Sequence, residues 1–228
     1  MAPPSAYETP TIEKAWQACK AHLPVMLMIW LISIALNVMG FLFGLIVIWI
    51  LGTVTGGGAA GNSGTAGGTI LEQLAQMPFT ILSSLVAILF VAVPALHVDS
   101  GETITTERAF ETLLQRPGRY LLAGLLFSVV SVIGTILCIL PGLAVAFVSP
   151  VYVNRIFLTD QPISEAFAAS FQAVYRSPKG WGFIGVQLLT GLVTVVVSIC
   201  TCGLGALVAV PMSGFYIQMA AYNRGILR

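Results

Sequence analysis

The chain has 228 residues, of which 57% are hydrophobic and only 8% charged, with a mean hydropathy of +0.94. Its 10 Lys and Arg and 9 Asp and Glu are too few to cover a soluble globule, where about a quarter of residues carry charge. A soluble enzyme, a disordered chain and a nucleic-acid binder are all poor readings of this composition, and a net charge of +1 points to no acidic partner.

The apolar residues come in long runs, and a helix needs roughly 20 of them to cross a hydrocarbon core about 30 Å thick. A short amphipathic helix comes first, with Ile12, Ala15, Trp16 and Cys19 on one face and Glu13, Lys14, Gln17 and Lys20 on the other. The first span follows from Leu23 to Leu51, long enough to need tilt or a bend near Asn37 and Gly40. Residues 52–69 hold eight glycines and predict a disordered external loop, with no Gly-Lys-Ser/Thr to make it a phosphate cradle. A second span runs from Met77 to Val98. A second amphipathic helix sets Phe110, Leu113 and Leu114 against Glu107, Arg108 and Glu111. Spans three and four, Tyr120 to Leu140 and Gly142 to Leu158, are divided at Pro141-Gly142. A third amphipathic helix carries Phe167, Phe171, Val174 and Tyr175. Spans five and six, Trp181 to Cys200 and Leu204 to Tyr222, are divided at Cys202-Gly203.

The basic residues check this count. Lys14 and Lys20 precede span one, and Arg108, Arg116 and Arg119 lie between spans two and three. Arg155, Arg176 and Lys179 lie at or beyond the end of span four, and Arg224 and Arg228 follow span six. The other three loops have no Lys or Arg. Cytoplasmic loops retain positive charge, so six spans put all ten on one side, with both termini cytoplasmic. The first apolar run starts only at residue 23 and is too long for a signal-peptide core, so no cleavable signal is expected.

The chain also repeats itself. Glu13-Lys14-Ala15-Trp16, Glu107-Arg108-Ala109-Phe110 and Ser164-Glu165-Ala166-Phe167 each precede a pair of spans, and Val-Ala-Val-Pro94, Phe-Val-Ser-Pro150 and Val-Ala-Val-Pro211 occur late in each pair. The expected architecture is therefore all-α: a six-helix transmembrane bundle with three short amphipathic interfacial helices and a three-fold internal repeat. The repeat units cover about 11–98, 103–158 and 163–224 within one membrane domain, 1–228. Trp16, Phe110 and Phe167 are the expected interfacial anchors. Pro94, Pro150 and Pro211 predict three similar kinks, serving either a hinge or cavity or only the packing of curved helices; of the polar residues at depth, Asn37, Gln187 and Gln218, the first two either line a solute route there or, more simply, hydrogen-bond between helices. Gly40 and Gly44 form a GxxxG that either packs helices closely or dimerises the protein.

Chemistry is sparse. No charge falls in the middle of a predicted span, which disfavours an ion-coupled pump. His22 and His97 lie near the cytoplasmic boundary, and there is no HExxH, CxxC pair or carboxylate dyad, so no catalytic residue, metal or cofactor is expected. Cys138, Cys200 and Cys202 map near the non-cytoplasmic ends. A bridge from Cys138 to either of the others can form in an oxidising compartment, and the alternative is that all three are small packing residues.

Ile139-Leu140-Pro141-Gly142-Leu143, Pro150, Asp160 before Ser164-Glu165-Ala166-Phe167, Ser170 and Tyr222-Asn223-Arg224 together resemble a family of bacterial polytopic membrane proteins. These are the YciC-type proteins and the membrane domain attached to some glycerophosphodiester phosphodiesterases. The resemblance covers roughly 103–228 and, more faintly, the first unit. It implies a bacterial cytoplasmic membrane, or a thylakoid, and brings no activity with it. The function expected is a non-catalytic accessory, assembly or scaffold component whose partners are the bilayer and other membrane subunits or a second copy. A small-solute channel or transporter is the alternative, and a lipid-handling protein the next.

Overall fold

The computed structural model describes residues 3–54, 66–137 and 139–227, and every regular element in them is helical. A short 3-10 turn, Pro4–Tyr7, precedes α1 (Ile12–Ala21) and α2 (Leu23–Val54). Next come α3 (Ala66–Ala87), α4 (Leu89–Ser100), α5 (Thr106–Gln115), α6 (Pro117–Leu137) and α7 (Ile139–Leu158). The chain ends with α8 (Ile163–Tyr175), α9 (Gly180–Cys200) and α10 (Ala206–Asn223). Of the stretch expected as a loop, 52–54 continue α2 and 66–69 open α3, while 55–65 lie outside the described residues.

Among the described residues, five helical stretches are long and apolar enough to cross a membrane: Leu23–Val54, Glu72–Ser100, Pro117–Leu137, Ile139–Leu158 and Gly180–Cys200. The sixth expected span, α10, has 18 residues but is diluted by Ser213, Tyr216, Gln218, Tyr222 and Asn223, and it is not one of the five. Its position explains the dilution. Phe215, Gln218, Ala220, Ala221 and Tyr222 are buried, and α10 packs against α1, α4, α7, α9 and the N-terminal 3-10 turn. A helix enclosed by protein is under less pressure to be apolar all round than one facing lipid.

The chain divides into two compact units, Leu27–Ile88 and Met1–Met26 with Leu89–Arg228. In the first, the GxxxG packs inside the chain. A Cβ on Gly40 would lie 2.8 Å from the Cβ of Phe79, so α2 and α3 approach too closely there for a side chain, while one on Gly44 would meet only the movable end of Gln76, with Nε2 at 2.8 Å.

In the second unit, two of the three short helices begin alike. The Thr11 hydroxyl accepts from the Lys14 N–H at 3.2 Å to cap α1, and the Thr105 hydroxyl accepts from the Arg108 N–H at 3.3 Å to cap α5. Pro162 holds the equivalent place before α8. Each of the three helices buries an alanine at the same place. Ala15, Ala109 and Ala166 are each 0% exposed, whereas Ile12 and Trp16 point outward. The residue before each aromatic makes the close contact, because a methyl group lets one helix sit directly on another.

The break between spans three and four also differs from expectation. α7 already begins at Ile139, so Pro141 is its third residue, where the missing N–H costs nothing. Gly142 is a crossing point rather than a turn. A Cβ there would come within 3.2 Å of the Thr135 backbone, and one on Gly134 would sit 3.1 Å from the Gly142 nitrogen. The break between α9 and α10 falls at Cys202-Gly203, both left-handed at φ +52° and +90°. The Cys202 N–H donates to the Ile199 carbonyl at 3.2 Å and the Gly203 N–H to that of Ser198 at 2.7 Å, the pairing of a Schellman motif. Replacing Gly142 with Leu should therefore force α6 and α7 apart and lower stability by about 1–3 kcal/mol, measured by unfolding in detergent; Leu at the open Gly185 should be nearly neutral.

Candidate functional site

The second unit is organised around a row of carbonyls on α7. The Tyr175 hydroxyl of α8 donates to the Ala144 carbonyl at 2.8 Å. The Gln187 amide of α9 donates to the Phe147 carbonyl at 2.9 Å, and the Gln218 amide of α10 donates to the Pro150 carbonyl at 2.9 Å. The acceptors are three residues apart, so each step turns about 60° back around a helix of 3.6 residues per turn and faces a different neighbour. They lie to either side of the Ala146 carbonyl, the one that loses its helical donor to Pro150, and are bonded in addition to their own ladder bonds. Burial raises the Tyr175 hydroxyl above its ordinary pKa and keeps it a donor.

The same end of α7 continues the network. Asn154, one turn past Pro150, donates to Oε1 of Gln218 and to the Tyr222 hydroxyl, both at 3.4 Å. Tyr222 in turn donates to the Asp99 carboxylate at 2.9 Å. Gln218 thus spans two successive turns of α7, and Tyr222 connects α10 to α4. On the opposite side of α7, the Tyr152 hydroxyl donates to the Ala123 carbonyl of α6 at 3.1 Å.

The sequence-predicted residues divide accordingly. Pro94 and Pro211 are buried, and Pro150 is half-buried. Pro94 is met by α10 at Gly214, where a Cβ would lie 3.3 Å from the proline ring. Gln187 belongs to the carbonyl row. Asn37 lies in the other compact unit, where it donates to Ser83 Oγ and to the Ser33 carbonyl, each at 2.7 Å. Trp16 is exposed, with Lys20 Nζ 5.7 Å from its ring. Phe110 is half-buried, and Phe167 packs edge-on to Tyr152 at 5.4 Å. Cys200 and Cys202 are free and exposed; Cys138 lies outside the described residues. Asn154, Tyr175 and Gln218 were not singled out as site residues. The available signal is that each is a polar group beside an apolar run.

His22 is a second missed residue. It is 0% exposed, its Nδ1 lies 2.8 Å from the Ala18 carbonyl, and its Nε2 accepts the Ile104 N–H at 2.9 Å. Since Nε2 accepts, the proton is on Nδ1 and the ring is neutral. The His97 ring stacks edge-on at 4.6 Å and Phe215 lies at 5.1 Å. Burial pushes the imidazole below its ordinary pKa; the Ala18 bond opposes this and His97 adds to it. Cys19 beside it is buried, and its thiol is pushed up by that burial, so it stays protonated and unreactive.

No family model, curated protein or solved structure matches the chain. Among the described residues, no group of three or more His, Cys, Asp or Glu is placed to hold a metal ion. The arrangement is a set of interhelical ties, and two outcomes follow from it. Gln218→Leu removes both the donor to the Pro150 carbonyl and the acceptor for Asn154 and should cost about 1 kcal/mol in detergent unfolding, with Gln187→Leu similar. A histidine with a depressed folded pKa makes the unfolded state the better proton binder, so its contribution is complete above the unfolded value of about 6.5 and is lost as pH falls below it. Unfolding temperature should therefore drop on acidification from about pH 7.5 to about pH 5.5 in the wild type, and less steeply in His22→Gln.

Proposed function

We propose that the chain is a non-catalytic integral membrane protein that serves as an accessory, assembly or scaffold component of a membrane complex. The observation that carries this reading is how the polar groups at depth are used. Gln187 and Gln218 spend their amides on α7 carbonyls, and Asn154 and Tyr222 are joined to them and to Asp99. Side chains that would serve a solute path instead hold helices together. The alternative of a channel lined around the prolines draws less support, since Pro94 is packed against Gly214 and Pro150 is bound by Gln218.

The six-span topology with three repeats and both termini cytoplasmic belongs to the same proposal. The N-terminal turn meets the C-terminal helix, with Asn223 donating to the Tyr7 carbonyl at 2.9 Å and the Tyr7 and Tyr222 rings 6.0 Å apart. A shared end for the two termini fits an even number of crossings and the segregation of Lys and Arg. The fully buried alanine before the aromatic in each of α1, α5 and α8, and the shared threonine cap of α1 and α5, support descent of the three units from one ancestor. We assign the chain to the YciC-like group and to a bacterial cytoplasmic or thylakoid membrane on the resemblance alone.

Native mass spectrometry of the protein extracted from its own membrane tests the proposal. A stoichiometric complex with a larger, different subunit is the expected result. A lone species that conducts a small solute after reconstitution in liposomes would overturn it.

A further inference from the structure

The molecule holds a polar cavity of about 220 Å³ at the end of the α6–α7 hairpin, lined by residues of α5, the start of α6 and the end of α7. Two guanidinium groups, Arg116 and Arg119, line it, with Gln115 and Tyr120 beside them and Thr159 and Asp160 from the chain that follows α7. Arg119 is held in place by two bonds from Nη2, to the Thr159 and Gln161 carbonyls, both at 2.8 Å. Its Nε, shielded from solvent, has no hydrogen-bond partner. Arg116 pairs with Asp160, but both side chains are more than half exposed, so that pair is weak and exchangeable. With two cations and one carboxylate, the site is left one positive charge in excess. The first turn of α6 also begins there, at Pro117, and a helix start favours negative charge.

An anion with several acceptor oxygens matches this set: beside the Arg119 guanidinium it would compete with Asp160 for Arg116, as guanidinium groups do with phosphates. The depth decides the source. The apolar run of α6 starts at Pro117 and that of α7 ends at Leu158, so the cavity lies where two membrane-length helices leave the hydrocarbon. Leu121, Leu122 and Leu125, within the next two turns of α6, are exposed and available to acyl chains.

We propose that this cavity binds the phosphate of an anionic lipid headgroup. Binding is retention of a bound lipid, with no transfer of it, and is independent of the accessory role. The test uses the full chain in nanodiscs of phosphatidylcholine with about a fifth phosphatidylglycerol, with retained lipid read by native mass spectrometry. Wild type should keep phosphatidylglycerol in preference to phosphatidylcholine. Arg116→Gln, an exposed substitution that leaves the Arg119 bonds intact, should weaken that retention about tenfold, the loss of one charge-assisted bond. Asp160→Asn removes the competing carboxylate and should strengthen retention about threefold; a merely structural Arg116–Asp160 pair would make both variants move the same way. A parallel arm adds inorganic phosphate to phosphatidylcholine nanodiscs. Equal retention of both lipids, or variants that leave retention unchanged, would overturn the proposal, and so would a phosphate adduct without any preference for phosphatidylglycerol.

Discussion

Apolar helices in a bilayer gain direction from the few hydrogen bonds that side chains make between them. In this protein those bonds converge on α7, where Tyr175, Gln187 and Gln218 donate from three different helices to the Ala144, Phe147 and Pro150 carbonyls. Much of the larger unit follows from that. The three donors fix how α8, α9 and α10 are placed around α7, and Asn154 and Tyr222 extend the same network to α4. Each bond is worth little alone, on the order of 1 kcal/mol. Their value lies in direction, since a carbonyl can be met from only a narrow range of angles and apolar packing has no comparable preference.

Where backbones must touch, the chain uses alanine and glycine. Ala15, Ala109 and Ala166 seat the short helices, Gly134 and Gly142 let α6 and α7 cross, and Gly214 accommodates Pro94. In a bilayer there is little hydrophobic gain from joining two apolar helices, so close contact and hydrogen bonds carry the association. The large apolar side chains are consequently left outside. Leu125, Ile136, Leu189 and Leu192 are all exposed on the protein surface, as a lipid-facing helix requires.

This division explains what the sequence made legible. The apolar runs, the three short helices and the break at Cys202-Gly203 could be read because they depend on composition and local turn chemistry. Which side chain of a short helix makes the close contact could not. Periodicity grouped Trp16 with Ala15, but it does not tell that Ala15 is fully buried and Trp16 exposed. Pro141-Gly142 looked like a turn because that dipeptide usually is one. Here the proline sits where a helix tolerates it, and the glycine answers to α6, some eight residues earlier in the chain. The carbonyl row was invisible for the same reason: Tyr175, Gln187 and Gln218 share no spacing, only a common acceptor helix.

The central claim is that polar groups within the larger unit close it against water. Val148 and Val151, both 0% exposed, flank the Pro150 turn on α7 and report directly on that interior. Single cysteines at these two positions, in a background without Cys19, Cys138, Cys200 and Cys202, can be challenged in intact membranes with a water-soluble thiol reagent. The account predicts no labelling at either position until the protein is unfolded. Rapid labelling of both in the folded protein would contradict it and reveal a wet path along α7.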